Sequence, residues 1–270
     1  MPVTEKIESL QNPRVKLWIK LHKPRDRRKT GRILIEGLRE ISMALTHGIE
    51  IENLIISSTG LQLLNEPAIQ KLIPTVECIE VSDVVFSKIT YREQSDGLLV
   101  VARPLYLKLE DLKLSTNPIL VILESVEKPG NLGAILRTAD AANADAMIIC
   151  DPATDIYNPN VIRSSLGCIF SMPLVACTSS EAFEWIKTHN IKSFAATLNA
   201  SSWYHQADMT GPSAIVMGAE AGGLSDFWLK NAACRIKIPM LGKVDSLNVS
   251  TSTAIILFEA LRQRGFGMAL

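Results

Sequence analysis

The sequence predicts an α/β protein in two parts: a small N-terminal α/β unit and a C-terminal parallel sheet with helices on both faces. Three observations carry this. From Ile119 onward, apolar runs alternate with amphipathic stretches as strand, helix, strand, helix, the pattern of a parallel sheet. Ile119–Leu123 is continuously apolar, as strands buried on both faces are. Finally, three segments place polar groups or glycines where a strand hands over to a helix: Asn131–Arg137, Gly218–Ser225 and Ser246–Ser250. In open α/β sheets that crevice, outside the carboxyl ends of the strands, is where ligands bind. At 270 residues the chain exceeds a typical single domain. The expected division is an N-terminal domain over 1–103, a linker over 104–117 and the larger domain over 118–270.

Taken in order, a polar helix is expected from Glu5 to Leu21, a strand at Ile33–Ile35, a helix over Leu38–Thr46 and strands at Leu54–Ile56, Val76–Val81 and Leu98–Ala102. Pro104 and Pro118 bracket the mixed, polar linker. Beyond it come a strand at Ile119–Leu123, a helix from Leu132 with Asn131 as its cap, and a strand at Ala146–Cys150. A helix near Asn160–Leu166, a strand at Pro173–Ala176, a helix at Glu181–His189 and a strand at Phe194–Thr197 follow. The last cycle has strands at Ala214–Met217 and Arg235–Ile238 around a helix at Asp226–Asn231, then a closing helix from Val249 toward Arg264.

Composition narrows the classes of function. The apolar fraction, 47%, suffices for a packed core, and the formal net charge is zero, so a polyanionic partner must be met by a local patch. No apolar run approaches the ~18 residues that span a bilayer. The stretch Met1–Lys6 shows no hydrophobic signal region. Cys78, Cys150, Cys168, Cys177 and Cys234 are scattered and show no CxxC spacing, which argues against a disulfide framework or a metal site and for a reducing cytoplasm.

The local patch is Lys20–Arg32, where Lys20, Lys23, Arg25, Arg27, Arg28, Lys29 and Arg32 face Asp26 alone. Such a run supplies salt-dependent affinity for nucleic acid by releasing counterions, or it is a solvated face without a partner. On the helix after Asn131, Leu132, Ile135, Leu136 and Ala139 form a buried stripe. Arg137 lies on the flank of that stripe, far from the helix C-terminus, either reaching over the strand ends or engaged in an ordinary ion pair. Glu220 is the one charge in a glycine-rich turn that matches neither GxGxxG nor a phosphate-binding P-loop. Ser246 and Asn248 either cap the last helix or hold a polar ligand.

Three stretches together resemble the ordered motifs of SpoU/TrmH-type RNA 2′-O-ribose methyltransferases of the SPOUT superfamily: Asn131-Leu-Gly-Ala-Ile-Leu-Arg137-Thr-Ala, Met217-Gly-Ala-Glu220-Ala-Gly-Gly-Leu, and Ile238-Pro-Met-Leu-Gly-Lys-Val-Asp-Ser246-Leu-Asn248-Val-Ser. The N-terminal stretch, with Ser9-Leu-Gln-Asn-Pro-Arg-Val-Lys and Leu34-Ile-Glu-Gly, is similar to the ribosomal-protein-like substrate-binding domain of that family. Members acting on ribosomal RNA carry something similar to Tyr157-Asn-Pro-Asn-Val-Ile-Arg163-Ser-Ser-Leu-Gly. The loop Gln94–Gly97 and the run Ser250–Thr253 depart from the family pattern without touching the motif polar residues.

The resemblance implies a deep trefoil knot in the C-terminal part, a cytoplasmic homodimer, S-adenosylmethionine (AdoMet) as cofactor, no metal, and ribosomal RNA as substrate. It places Thr197, Leu198, Gly218, Ile238, Pro239, Met240, Ser246, Leu247 and Asn248 around the cofactor. It makes Arg137 the catalytic arginine, supported by Asn131, Glu220, Ser246 and Asn248. Lys23, Arg25, Arg27, Arg28, Lys29 and Arg163 would contact RNA. The alternatives are a non-catalytic RNA-binding or ribosome-assembly factor, a transfer-RNA 2′-O-methyltransferase, and a base methyltransferase of the wider knotted superfamily.

Overall fold

A computed structural model describes residues 3–92 and 94–267. The first two residues of the Met1–Lys6 stretch and the last three of the expected C-terminal domain lie outside the described residues. In chain order the elements are β1 (Glu5–Ile7), α1 (Pro13–Lys20), α2 (Pro24–Thr30), β2 (Ile33–Glu36), α3 (Leu38–Thr46), β3 (Ile51–Ile56), α4 (Pro67–Leu72), β4 (Glu77–Val81), α5 (Asp83–Ile89) and β5 (Leu98–Ala102). These are followed by β6 (Ile119–Glu124), α6 (Pro129–Ala141), β7 (Ala146–Cys150), α7 (Pro159–Ser164), α8 (Cys168–Ser171), β8 (Leu174–Cys177) and α9 (Ser179–Thr188). The chain closes with β9 (Lys192–Ala196), β10 (Ser202–Trp203), β11 (Ser213–Met217), α10 (Asp226–Asn231), β12 (Cys234–Lys237) and α11 (Val249–Gln263). No helix among the described residues is long and apolar enough to cross a membrane.

The chain divides into two compact units. The first comprises residues up to Leu105 together with Tyr157–Ser171; the second comprises Tyr106–Ile156 and the chain from Met172. This differs from the sequential division expected from sequence. Residues 104–117 are not a free connector, because Leu109 is buried in the second unit's core with Leu112 and Leu114 packed against it. Asp145 also accepts hydrogen bonds from the Ser115 and Ile119 amides at 2.7 and 2.8 Å, fixing the approach to β6.

The first unit is a five-stranded sheet in the order β1-β4-β3-β5-β2. The pairs β1/β4 and β3/β4 are parallel, whereas β5 runs antiparallel to β3 and β2. The single helix expected over Glu5–Leu21 is instead a strand, a turn and a helix. Glu5–Ile7 extends alongside β4, and Pro13 starts α1 behind Asn12, whose side chain accepts from the Arg14 amide at 2.8 Å. Proline is preorganised for that first position, and its ring prevents the residue before it from being helical. Arg14 then bridges the strands, reaching Glu5 at 2.7 Å and Glu77 at 2.5 Å. The basic run is not an open loop: residues 24–30 fold as α2, ended by Gly31 in the left-handed region.

The second unit is a seven-stranded, wholly parallel sheet in the order β10-β12-β9-β11-β6-β7-β8. Its central strands are buried along their whole length, which explains the unbroken apolar runs. One set of alternate residues, including Leu120, Ile122, Ile148 and Val216, packs with Ala182 and Ile186 of α9 and Trp228 of α10. On the other side α11 lies against α6 and β11. The end of α11 is fastened by Arg264, which donates to the carbonyls of Met209 at 3.0 Å, Asn117 at 2.8 Å and Gly211 at 2.5 Å.

Glu124, the last residue of β6, is 6% exposed. It accepts the Ser225 amide at 2.7 Å and the Ser225 hydroxyl at 2.6 Å, and lies 3.1 Å from the Ser179 hydroxyl. The Trp228 indole N–H in turn donates to Ser179 at 3.1 Å. Removing a buried acceptor leaves its donors without partners. Glu124→Leu is therefore expected to lower stability by about 2–4 kcal/mol, with Glu124→Gln, which keeps one acceptor, losing less. Urea unfolding followed by tryptophan fluorescence measures the difference.

Candidate functional site

Four neighbouring parallel strands end at one edge of the large sheet: β12 at Lys237, β9 at Ala196, β11 at Met217 and β6 at Glu124. The loops that leave them enclose a cleft of about 590 Å³, within the range that holds a cofactor-sized molecule. Its walls are segments 196–199, 217–224, 236–238 and 246–249, with Lys128, Leu229, Met240, Ser252 and Ile256.

Local chemistry explains why the 218–225 turn is glycine-rich. A Cβ on Gly218 would lie 2.2 Å from the main-chain carbonyl carbon of Gly223, so only glycine fits. Gly223 itself has φ +64°, a left-handed conformation that costs glycine nothing. The turn closes on itself through paired main-chain bonds between Ala219 and Gly223, at 3.0 and 2.9 Å. Glu124 holds its far end through Ser225.

Three of the five residues assigned to catalysis from sequence meet here. The Asn131 side-chain amide donates to Glu220 Oε1 at 2.5 Å, and the Asn248 amide donates to Asn131 Oδ1 at 3.1 Å. Asn248 Oδ1 also caps α11, accepting from the Ser250 amide at 2.9 Å, so the capping reading holds for Asn248. Asn131, by contrast, is not a helix cap. Pro129 starts α6 two residues earlier, and the Asn131 side chain turns across to Glu220 and Asn248 instead. Burial opposes the charge on Glu220, but the Asn131 side chain and the amides of residues 127 and 128 outweigh it and hold the carboxyl below its usual range. The group is therefore an anion at neutral pH. Its bond to Asn131 is intact there and is lost only on acidification through that lowered value.

The other two sit differently. Ser246 is exposed and lines the cleft, with its hydroxyl 3.4 Å from Asp245. Arg137 is exposed, six residues along α6 from Asn131, which is ~9 Å of helix rise. It is not part of the cleft wall, and among the described residues it has no hydrogen bond or ion pair.

Thr197, Leu198, Gly218, Ile238, Met240, Ser246, Leu247 and Asn248 line the cleft; Pro239 does not. Lys128, Asn199, Leu229 and Ile256 line it unforeseen. The last two carry an ordinary helical burial pattern, and Lys128 merely precedes a proline, so nothing in the sequence marks them.

Of the residues assigned to RNA, Lys23, Arg25, Arg28, Lys29 and Arg163 are exposed on the first unit. Arg163, on α7, borders a shallow notch with His22, Tyr91 and Arg92 of the same unit. Arg27 is a correction. It is 3% exposed and donates to the Leu21 carbonyl at 2.7 Å, so its guanidinium ties α2 to α1 and is not free to meet a phosphate.

Residues 118–258 match the SpoU rRNA Methylase family, and residues 12–100 match the MRM3-like substrate binding domain. The chain is 30% identical over 256 residues to the 23S rRNA (guanosine(2553)-2′-O)-methyltransferase of Bacillus subtilis, covering 94% of this chain and 98% of that protein. Among solved structures, an RNA 2′-O ribose methyltransferase aligns with a TM-score of 0.83 at 41% identity, over 96% of this chain and 99% of the other. An AdoMet-bound rRNA methyltransferase from Sinorhizobium meliloti aligns with a TM-score of 0.88 at 31% identity, over 97% and 98%. The motif residues gathered around the cleft, the two matched segments and these end-to-end likenesses agree: the chain belongs to the SpoU rRNA methylase family.

Proposed function

We infer that this chain transfers a methyl group from AdoMet to a ribose 2′-hydroxyl of ribosomal RNA. The observation that carries the reading is the Asn248–Asn131–Glu220 hydrogen-bonded chain at a cleft formed by the carboxyl ends of parallel strands. The residues present fit the cofactor. Leu229, Ile236, Ile238 and Ile256 offer apolar surface to a flat heterocycle, and Gly218 keeps main-chain groups within reach. The end-to-end likeness to a 23S rRNA enzyme supports ribosomal RNA as the substrate.

AdoMet, when bound, supplies an electrophilic methyl group on a sulfonium. The chain's own residues then have to hold and orient. Glu220, Asn131 and Asn248 tie the 218–225 turn, the first turn of α6 and the start of α11 into one frame around the cleft. Arg137 grips the phosphate beside the target ribose through its planar fork and aims the 2′-oxygen. Lys23, Arg25, Arg28, Lys29 and Arg163 anchor the RNA backbone.

Because Arg137 is exposed and outside the cleft wall of its own chain, the reading includes a cytoplasmic homodimer in which it serves the partner's cleft. The knotted path of the C-terminal part belongs to the same reading.

The first test is transfer of tritium from labelled AdoMet to ribosomal subunits and naked RNA, with the product identified by its alkali resistance. Wild type labels a large ribosomal RNA, and Arg137→Ala loses about 100-fold or more. Tight binding without transfer would favour the assembly factor, and label in transfer RNA would change the substrate. Mixing Arg137→Ala with Gly218→Val, each inactive alone, is expected to restore about a quarter of wild-type turnover, since half the dimers then carry one complete site. Arginine acting within its own subunit would restore none. Lys29→Ala is expected to reduce the slope of log affinity against log salt by about 1, whereas Arg27→Ala lowers stability and leaves the slope unchanged.

A further inference from the structure

Cys150 ends β7 and Cys177 ends β8, and the two are register partners on adjacent parallel strands. Directly paired residues project to the same face, and neighbouring strands lie about 4.8 Å apart. That falls inside the ~4.4–6.8 Å Cα separation a disulfide requires. The thiols are close enough for each to shift the other's titration. Their settings differ. Cys150 is fully buried, whereas Cys177 lies on the edge strand of the sheet and is half-buried.

We propose that Cys150 and Cys177 form an oxidisable dithiol that closes reversibly to a disulfide, and that its state is transmitted to the 218–225 turn of the cleft.

The chemistry divides between the two sulfurs. The neighbouring Cys150 thiol, helped by the Ala182 amide in the first turn of α9, holds the Cys177 thiol below its usual value despite burial and the nearby Glu181 and Asp151 carboxylates. The Cys177 neighbour and its own burial push Cys150 upward. Cys177, half-buried on the edge strand, is the thiol an oxidant reaches and is the nucleophile. With a peroxide as oxidant, its thiolate attacks one oxygen, the O–O bond breaks, and a sulfenic acid and hydroxide result. Cys150 gives its proton to that hydroxide, forming the first water, and attacks the Cys177 sulfur; the sulfenic S–O bond breaks and the oxygen leaves as hydroxide, which takes up the proton Cys177 lost on ionising to form the second water. Two thiols and one hydrogen peroxide thus give one disulfide and two waters.

The transmission route is short. Asp151 follows Cys150, holds φ at +49°, and donates its amide to the Cys177 carbonyl at 2.9 Å. Its carboxylate lies 2.7 Å from the Ser179 hydroxyl, which stands beside Glu124. Glu124 holds Ser225, the end of the turn. Drawing the two sulfurs to the ~2.05 Å of a disulfide moves the residues at the root of this chain.

The full-length protein, reduced and then treated with hydrogen peroxide, is alkylated with N-ethylmaleimide, digested without reductant and mapped by mass spectrometry. The expected product is one Cys150–Cys177 cross-linked peptide, reversed by dithiothreitol, with Cys78, Cys168 and Cys234 unlinked. In Cys150→Ser the reaction stops at a dimedone-reactive sulfenic acid on Cys177. Amide hydrogen exchange across residues 213–228 is expected to differ about fivefold or more between oxidised and reduced protein, and to be unaffected by peroxide in Cys150→Ser. This readout does not depend on the cofactor assignment. No linkage, or linkage through another cysteine, overturns the site. Linkage with unchanged exchange overturns its coupling to the cleft.

Discussion

The buried carboxylate of Glu124 is the constraint on which the site depends. It stands where the central strand β6 ends and accepts from the 218–225 turn while lying beside the start of α9. A carboxylate removed from water is tolerated only when its oxygens are satisfied, so the groups around it are held to one arrangement. The turn is thereby fixed at Ser225 and crossed upon itself at Gly218 and Gly223. Glu220, carried by that turn, then meets Asn131, and Asn131 meets Asn248. Order in the cleft is thus inherited from a buried polar contact outside its wall.

The two units present opposite kinds of surface. The second offers a cleft of main-chain and apolar groups with one well-held anion, Glu220, suited to a small molecule gripped by shape. The first presents exposed cations on α2 and α7, suited to a polyanion gripped by charge. Zero net charge for the whole chain conceals this division.

Much of this was legible in the sequence because its causes are local. The strands of the large sheet are buried on both faces, so their apolar runs mark them without help from context. The three motif segments are visible because close backbone approach admits only glycine at position 218, and because polar side chains at a strand–helix junction are unusual. What escaped was decided by distant partners. Asn131 has the residue type and position of a cap, and only the arrival of Glu220 and Asn248 gives it another role. Arg27 reads as one more charge in a basic run until α2 folds and turns it toward the Leu21 carbonyl. β1 is three residues long and exists because β4 lies beside it. The helical pattern of α7 is plain, but not the fact that its buried residues, Val161 and Ile162, belong to the first unit.

That last feature affects how the molecule can be taken apart. The backbone passes between the units three times, after Leu105, after Ile156 and after Ser171. The substrate-binding part is therefore not a bead on a string: a single peptide-bond cleavage leaves it attached, and a single splice cannot exchange it for another. A graft that carried only residues up to Leu105 onto a foreign catalytic sheet would arrive without α7 and α8, and so without Arg163. Exchanging the first unit between relatives consequently calls for two segments transplanted together, one of them lifted from within the second unit's own sequence.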